Sequence, residues 1–135
     1  MTDYPPHLQA WIDVALGKAT HGALQDMLHD DAVFHSPVVH TPQRGKALVF
    51  AYLSAADSMF SGNNFHYTRI FDCGDKAVLE FESTIDGITI NGVDLIEWDA
   101  AGKITEFKVM IRPLKAIQMV HAAMQRMLEQ MNPRR

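Results

Sequence analysis

One cysteine, Cys73, in 135 residues has no partner for an intramolecular disulfide, so core packing must hold the fold, as suits a reducing compartment. Cations are also in the minority: 12 Lys and Arg against 16 Asp and Glu give a net charge of −4. No run of basic residues could follow a phosphate backbone, which argues against nucleic acid as a partner. No apolar run approaches the ~20 residues that cross a bilayer. The start, Met1-Thr2-Asp3-Tyr4-Pro5-Pro6, has an acid and two prolines where a signal peptide needs basic and then apolar residues. The expectation is a soluble cytoplasmic protein without a membrane partner. G-x-S-x-G, the P-loop and G-x-G-x-x-G are all missing, and the seven histidines show neither H-x-H nor H-x-x-x-H spacing. Hydrolase, nucleotide and dinucleotide chemistry thus lack support, and neither a metal nor a cofactor is expected. Cys73 precedes Gly74 in a turn with no histidine beside it, which argues against a nucleophile.

What is present is apolar residue in quantity, 47% of a chain whose length fits one domain with one core. The expectation is a single domain over residues 1–135 with its core at about 8–127. Leu8, Trp11, Ile12, Ala15 and Leu16 recur at helical spacing and stop at Gly17. Thr20 can cap a second helix carrying Leu24, Met27 and Leu28, with Asp30-Asp31 closing it. Ala32 to Ser36 reads as an edge strand ending at Pro37, and His40 to Gly45 as a loop. Lys46 to Phe60 returns to helical spacing.

Beyond Asn63-Asn64 the period becomes two. Phe65–Phe71, Lys76–Ile85, Ile88–Trp98 and Lys103–Arg112 read as strands joined by short turns, and are therefore antiparallel neighbours. Asn91-Gly92 interrupts the third, and a bulge that curves the sheet is favoured over a second hairpin. After Pro113, Leu114, Ile117, His121, Met124, Leu128 and Met131 step by three or four into a last helix. Met119, Val120 and Met127 widen its apolar face.

Three helices with a strand among them, then a meander and a final helix, give an α+β class. Asp30-Asp31-Ala32-Val33-Phe34, Ser36-Pro37-Val38, Gly45 before a helix containing Tyr52-Leu53, and Gly102-Lys103-Ile104 followed by Arg112-Pro113-Leu114 together resemble the SnoaL-like branch of the nuclear transport factor 2-like (NTF2-like) superfamily. The resemblance runs from about Leu8 to Met127. It implies an α+β cone in which a curved antiparallel sheet wraps the helices around a conical pocket, and a homodimer packed through the other face of the sheet. It does not imply one reaction, because the superfamily includes ketosteroid isomerases, cyclases, hydrolases and transport adaptors.

The ketosteroid isomerases combine an aspartate base, a tyrosine and a protonated aspartic acid. Aligned on Pro37, the base position falls on Ser36, a neutral hydroxyl that cannot abstract a proton unaided. The tyrosine position falls near Ile12, beside Trp11, so that phenol is missing. Aligned on Gly102-Lys103, the acid falls on Asp94, the one surviving catalytic candidate; its apolar neighbours Val93, Leu95 and Ile96 would favour the neutral form. His35 is a candidate substitute base, though strand alternation turns it away if Ser36 faces inward. Tyr67 is preferred to the adjacent His66 as a lining residue, and His40 and His121 read as solvated and interfacial. Trp11, Tyr52, Phe81 and Trp98 complete the expected wall, which suits a small hydrophobic or cyclic ligand. The alternatives are a non-catalytic dimeric binding or scaffold module, a core filled by these rings, and an epoxide-type hydrolase using Arg69 with Asp94.

Overall fold

Pro6 opens α1 (Pro6–Ala15) at a position where its missing N–H is no loss, and Leu8, Trp11 and Ile12 form the buried stripe. The chain is described by a computed structural model over residues 3–131; the Asn132 to Arg135 tail, expected to fray, lies outside the described residues. Among the described residues, no helix is long and apolar enough to cross a membrane.

The second helix, α2 (His21–Asp26), is shorter than its spacing suggests. Leu28 already belongs to β1 (Leu28–His35), so Asp30 and Asp31 lie within a strand and do not close a helix. Tertiary pairing overrides the local pattern: Leu28 is in register with Ile104, whose N–H donates to Met27 O at 2.8 Å. Nor is β1 an edge strand. The expected loop contains β2 (Gln43–Arg44), which pairs Val33 with Arg44 and Phe34 with Gln43 and so covers the outer side of β1.

After α3 (Lys46–Phe60) come β3 (His66–Asp72), β4 (Lys76–Ile85), β5 (Ile88–Trp98) and β6 (Ile104–Arg112), then α4 (Leu114–Met131). They form one six-stranded sheet in the order β2-β1-β6-β5-β4-β3, antiparallel except where β1 runs parallel to β6. The β4–β5 hairpin turns on Asp86 (φ 52°) and Gly87 (φ 78°), the positive φ pair that a tight two-residue hairpin demands.

Asn91-Gly92 is neither a bulge nor a hairpin, for the register runs unbroken through Glu82↔Asn91 and Phe81↔Gly92. Glycine is needed there for space: a Cβ would lie 2.5 Å from Phe81 Cζ and 2.7 Å from the Met110 carbonyl. The register shifts fall elsewhere, between Tyr67 and Arg69, between Glu97 and Trp98, and between Leu28 and Val33. Such irregularities bend strands and sharpen their twist.

The last helix is rotated from its expected setting. Ala116, Val120, Ala123 and Met124 are buried, whereas Leu114 is 68% exposed and His121 is exposed, so His121 is a surface residue and not part of the apolar stripe. The α+β cone is present. Its interior holds one apolar cluster around Leu8, Trp11, Phe34 and Phe107 and another around Met59, Phe81, Ile90 and Val120, with Tyr52, Tyr67 and Val109 packed against both.

Candidate functional site

Alternation along the central strands points Phe81, Asp94, Phe107 and Val109 to the helical side of the sheet, and they do not pack solid against it. A cavity of about 580 Å³ lies between that face and α1, α3 and α4. Its wall is chiefly apolar, with Trp11, Phe34, Phe65, Phe81 and Phe107 among the rings that line it. Several meet edge to face, such as Trp11 on Phe107 with centroids 4.8 Å apart at 68°, which fixes their orientation.

A chain of three polar groups enters this wall. Trp11 Nε1 donates to Tyr67 Oη at 3.0 Å, and Tyr67 Oη donates to Asp94 Oδ2 at 2.6 Å. The short second bond is typical of a hydroxyl on a carboxylate. Tyr67 faces Phe81 across the β3–β4 pair, and Phe81 faces Gly92, two residues from Asp94. The phenol reaches across β4 to the carboxyl group, while the Phe81 ring takes the space over Gly92. Asp94 is 5% exposed, and desolvation pushes its pKa up to about 7 against a smaller lowering by the Tyr67 hydrogen bond. Burial, then the nearby Asp94 charge, raises Tyr67 well above its ordinary value. The phenol therefore stays protonated, while the carboxyl group has two accessible protonation states near neutrality.

Of the remaining expected residues, Ser36 and Phe81 line the cavity; Ser36 Oγ accepts the Val38 N–H at 3.1 Å. Tyr52 and Trp98 do not line it. Tyr52 packs on Phe34 with centroids 5.5 Å apart, and Trp98 is spent on the core, its ring 4.7 Å from that of His7. His35 turns away, as alternation requires, and its Nε2 lies 3.1 Å from Glu106 Oε1. His66 is exposed and bonded to the Asn64 carbonyl, and His40 is exposed. Arg69 points outward, 67% exposed, onto Glu80, so the Arg69–Asp94 pair of an epoxide-type hydrolase does not form. A phenol, Tyr67, reaches the cavity wall from β3 and not from the first helix.

One group of lining residues escaped the sequence reading. Ser54, Asp57 and Ser58 on α3 and Ser61 at its C-cap recur at i, i+3, i+4 and i+7, and all contribute to the cavity wall. Their polar spacing was legible, but the apolar residues between them dominated the pattern. Among the described residues, Ser54 Oγ is buried without a hydrogen-bond partner.

The fold has many known counterparts. A steroid delta-isomerase from Pseudomonas aeruginosa superposes with a TM-score of 0.86 at 29% identity, covering 98% of this chain and 99% of that one. An uncharacterized protein with a cystatin-like fold from Silicibacter pomeroyi gives 0.80 at 30% identity, covering 89% and 83%. An NTF2-like protein of unknown function from Mesorhizobium loti gives 0.68 at 18% identity over 79% and 91%, a likeness of fold alone. No curated protein sequence matches the chain. The SnoaL-like domain family model matches residues 8–107, from within α1 into the first half of β6, and the chain belongs to that family.

Proposed function

We propose that this chain binds a small, mostly apolar cyclic molecule in the cavity and carries out acid-base chemistry on it through Asp94, in the manner of an isomerase or cyclase. The Trp11–Tyr67–Asp94 chain carries this reading. Its hydrogen bond occupies Oδ2 and leaves Oδ1 for a ligand. In the protonated state Oδ1–H can donate to a carbonyl oxygen, and in the ionised state it can accept a proton from the adjacent carbon. A carboxyl group poised near 7 is matched to both tasks at neutral pH. Tyr67 acts as a positioning residue, holding the carboxyl rotamer and moderating its charge, and Trp11 holds Tyr67. The volume lies within the roughly 300–1,000 Å³ of small-molecule sites.

Ser36 favours a second reading. With a hydroxyl at the position of the isomerase base, and that hydroxyl engaged by Val38, the protein would be a non-catalytic binding module. In either case a homodimer through the outer sheet face is consistent with Val93, Leu95 and Met110 on that face, Met110 being 53% exposed. The lone exposed Cys73 suits the reducing cytoplasm.

A thermal-shift screen of steroid ketones, terpenoids and aromatic polyketides identifies binders, and NMR in D₂O then follows exchange at the carbon beside the carbonyl. The expected result is a binder whose exchange Asp94→Asn abolishes while its affinity changes by less than about tenfold. Binding without Asp94-dependent exchange would establish the module reading. A screen in which no compound raises the melting temperature would end both.

A further inference from the structure

The hydroxyl groups that the fold takes out of water are, with one exception, already bonded. Tyr67 Oη donates to Asp94 and accepts from Trp11. Ser36 Oγ accepts the Val38 N–H on the cavity wall, and Ser83, buried elsewhere in the core, donates to the Asn63 carbonyl at 2.7 Å. Ser58 and Ser61 line the cavity at exposed positions, where water serves them. The exception is Ser54. Among the described residues, its Oγ alone is a side-chain polar atom closed off from solvent with no hydrogen-bond partner.

Ser54 stands in the interior of α3 between the buried Leu53 and Ala55, and it contributes to the cavity wall. A helical serine ordinarily relieves its hydroxyl by bonding back to the carbonyl one turn earlier, and this bond is not formed. A hydroxyl stripped of water and left unpaired is a cost to the fold. Alanine at the same place would avoid that cost and suit the helix better. The group that satisfies Ser54 therefore comes from the hollow. On the sheet side the same hollow holds the Asp94 carboxyl group, so α3 and β5 each bring one polar function to a wall that is otherwise chiefly apolar.

We infer that the ligand carries two neutral oxygen functions on its apolar ring body, a carbonyl taken by Asp94 on the sheet side and a hydroxyl or second carbonyl taken by Ser54 Oγ on the α3 side. This rests on the binding reading above and names the ligand's second functional group. Serine offers one donor and two lone pairs, so it serves either kind of oxygen, and its hydroxyl turns about a single torsion to meet one. One hydroxyl among apolar neighbours does not offset the desolvation of an ionised group, which leaves a neutral one. Ser54 is then a positioning residue: with both ends of the ligand tied, the ring body is held from turning over, and the carbon beside the carbonyl stays at Asp94 Oδ1.

Two matched series decide it, each titrated calorimetrically into the full chain and into Ser54→Ala: hydroxytetralones against methyltetralones substituted at each aromatic position in turn, and testosterone against its parent ketone lacking the ring-D hydroxyl. In the first series the methyl group fills the space of the hydroxyl without its hydrogen bond, and the two series together vary the span between the oxygens. The expected result is at least one hydroxyl compound that binds about tenfold tighter than its partner without that oxygen, a preference that Ser54→Ala erases by weakening the hydroxyl compound alone. The variant should melt no lower than the parent protein, since it removes an unpaired hydroxyl from a helix interior. No preference in any pair, a preference that survives Ser54→Ala, an equal loss for both members of a pair, or a lowered melting temperature that shows the hydroxyl bonded within the fold overturns the inference while leaving the apolar-ligand reading in place. Binding by no member of either series counts against both.

Discussion

The desolvation that lifts Asp94 to about 7 acts on the stability of the fold as well as on a ligand. In the unfolded chain the group titrates near its ordinary 3.8. Below that value both states are protonated and the native carboxyl group costs little. Between 3.8 and about 7 the unfolded state loses its proton first, so stability falls as pH rises, by up to about 1.4 kcal/mol per pH unit, and levels off above 7. The difference in unfolding free energy between the protein and Asp94→Asn, measured in urea from pH 4 to 8, should show this slope. A flat difference would mean that water or an unrecognised partner relieves the burial. Asp94 could be placed from its sequence because its chain order matches the acid of the isomerases and alternation puts it with Ile96 and Trp98. The Tyr67–Asp94 bond could not, since it depends on β4 lying between β3 and β5.

At the level of the element, α4 shows how a register of three and four can be read on the wrong face. Leu114, Ile117, His121 and Met124 keep helical spacing, yet the buried line runs through Ala116, Val120, Ala123 and Met124. The sheet and α3 admit the smaller side chains at close approach, and the larger ones flank them. Val120→Ala should therefore cost about 1–3 kcal/mol, whereas His121→Ala should change stability by less than about 0.5 kcal/mol, both read from the urea midpoint. Comparable losses would restore His121 to the packed face. The contrast with the hairpin is instructive. β4 and β5 were legible to the residue, because Asp86-Gly87 fixes the turn and a period of two admits only two faces. The α2–β1 boundary was not, because Leu24, Met27 and Leu28 satisfy helical spacing while the partner that draws Leu28 into a strand lies at Ile104, far along the chain.

For the molecule as a whole, the cavity is a stability cost, since the rings and aliphatic groups around it forgo contacts that a filled core would supply. Composition could not distinguish a hollow cone from a filled one. Both have the same alternating strands, and the outcome depends on how far the curved sheet stands off α3 and α4. Val109 tests this directly. It is paired with Asp94 across β5 and β6, lines the cavity, and packs against both halves of the core. Val109→Phe should fill part of the hollow and stabilise the fold by about 1 kcal/mol, a rise of about 4 °C in melting temperature. The same ring should abolish the thermal shift produced by any binder, because it occupies the space beside the Asp94 carboxyl group. Stabilisation with loss of binding is what a site retained for function at the expense of packing would give. A variant that loses stability would show instead that the wall around Val109 is already packed to its limit.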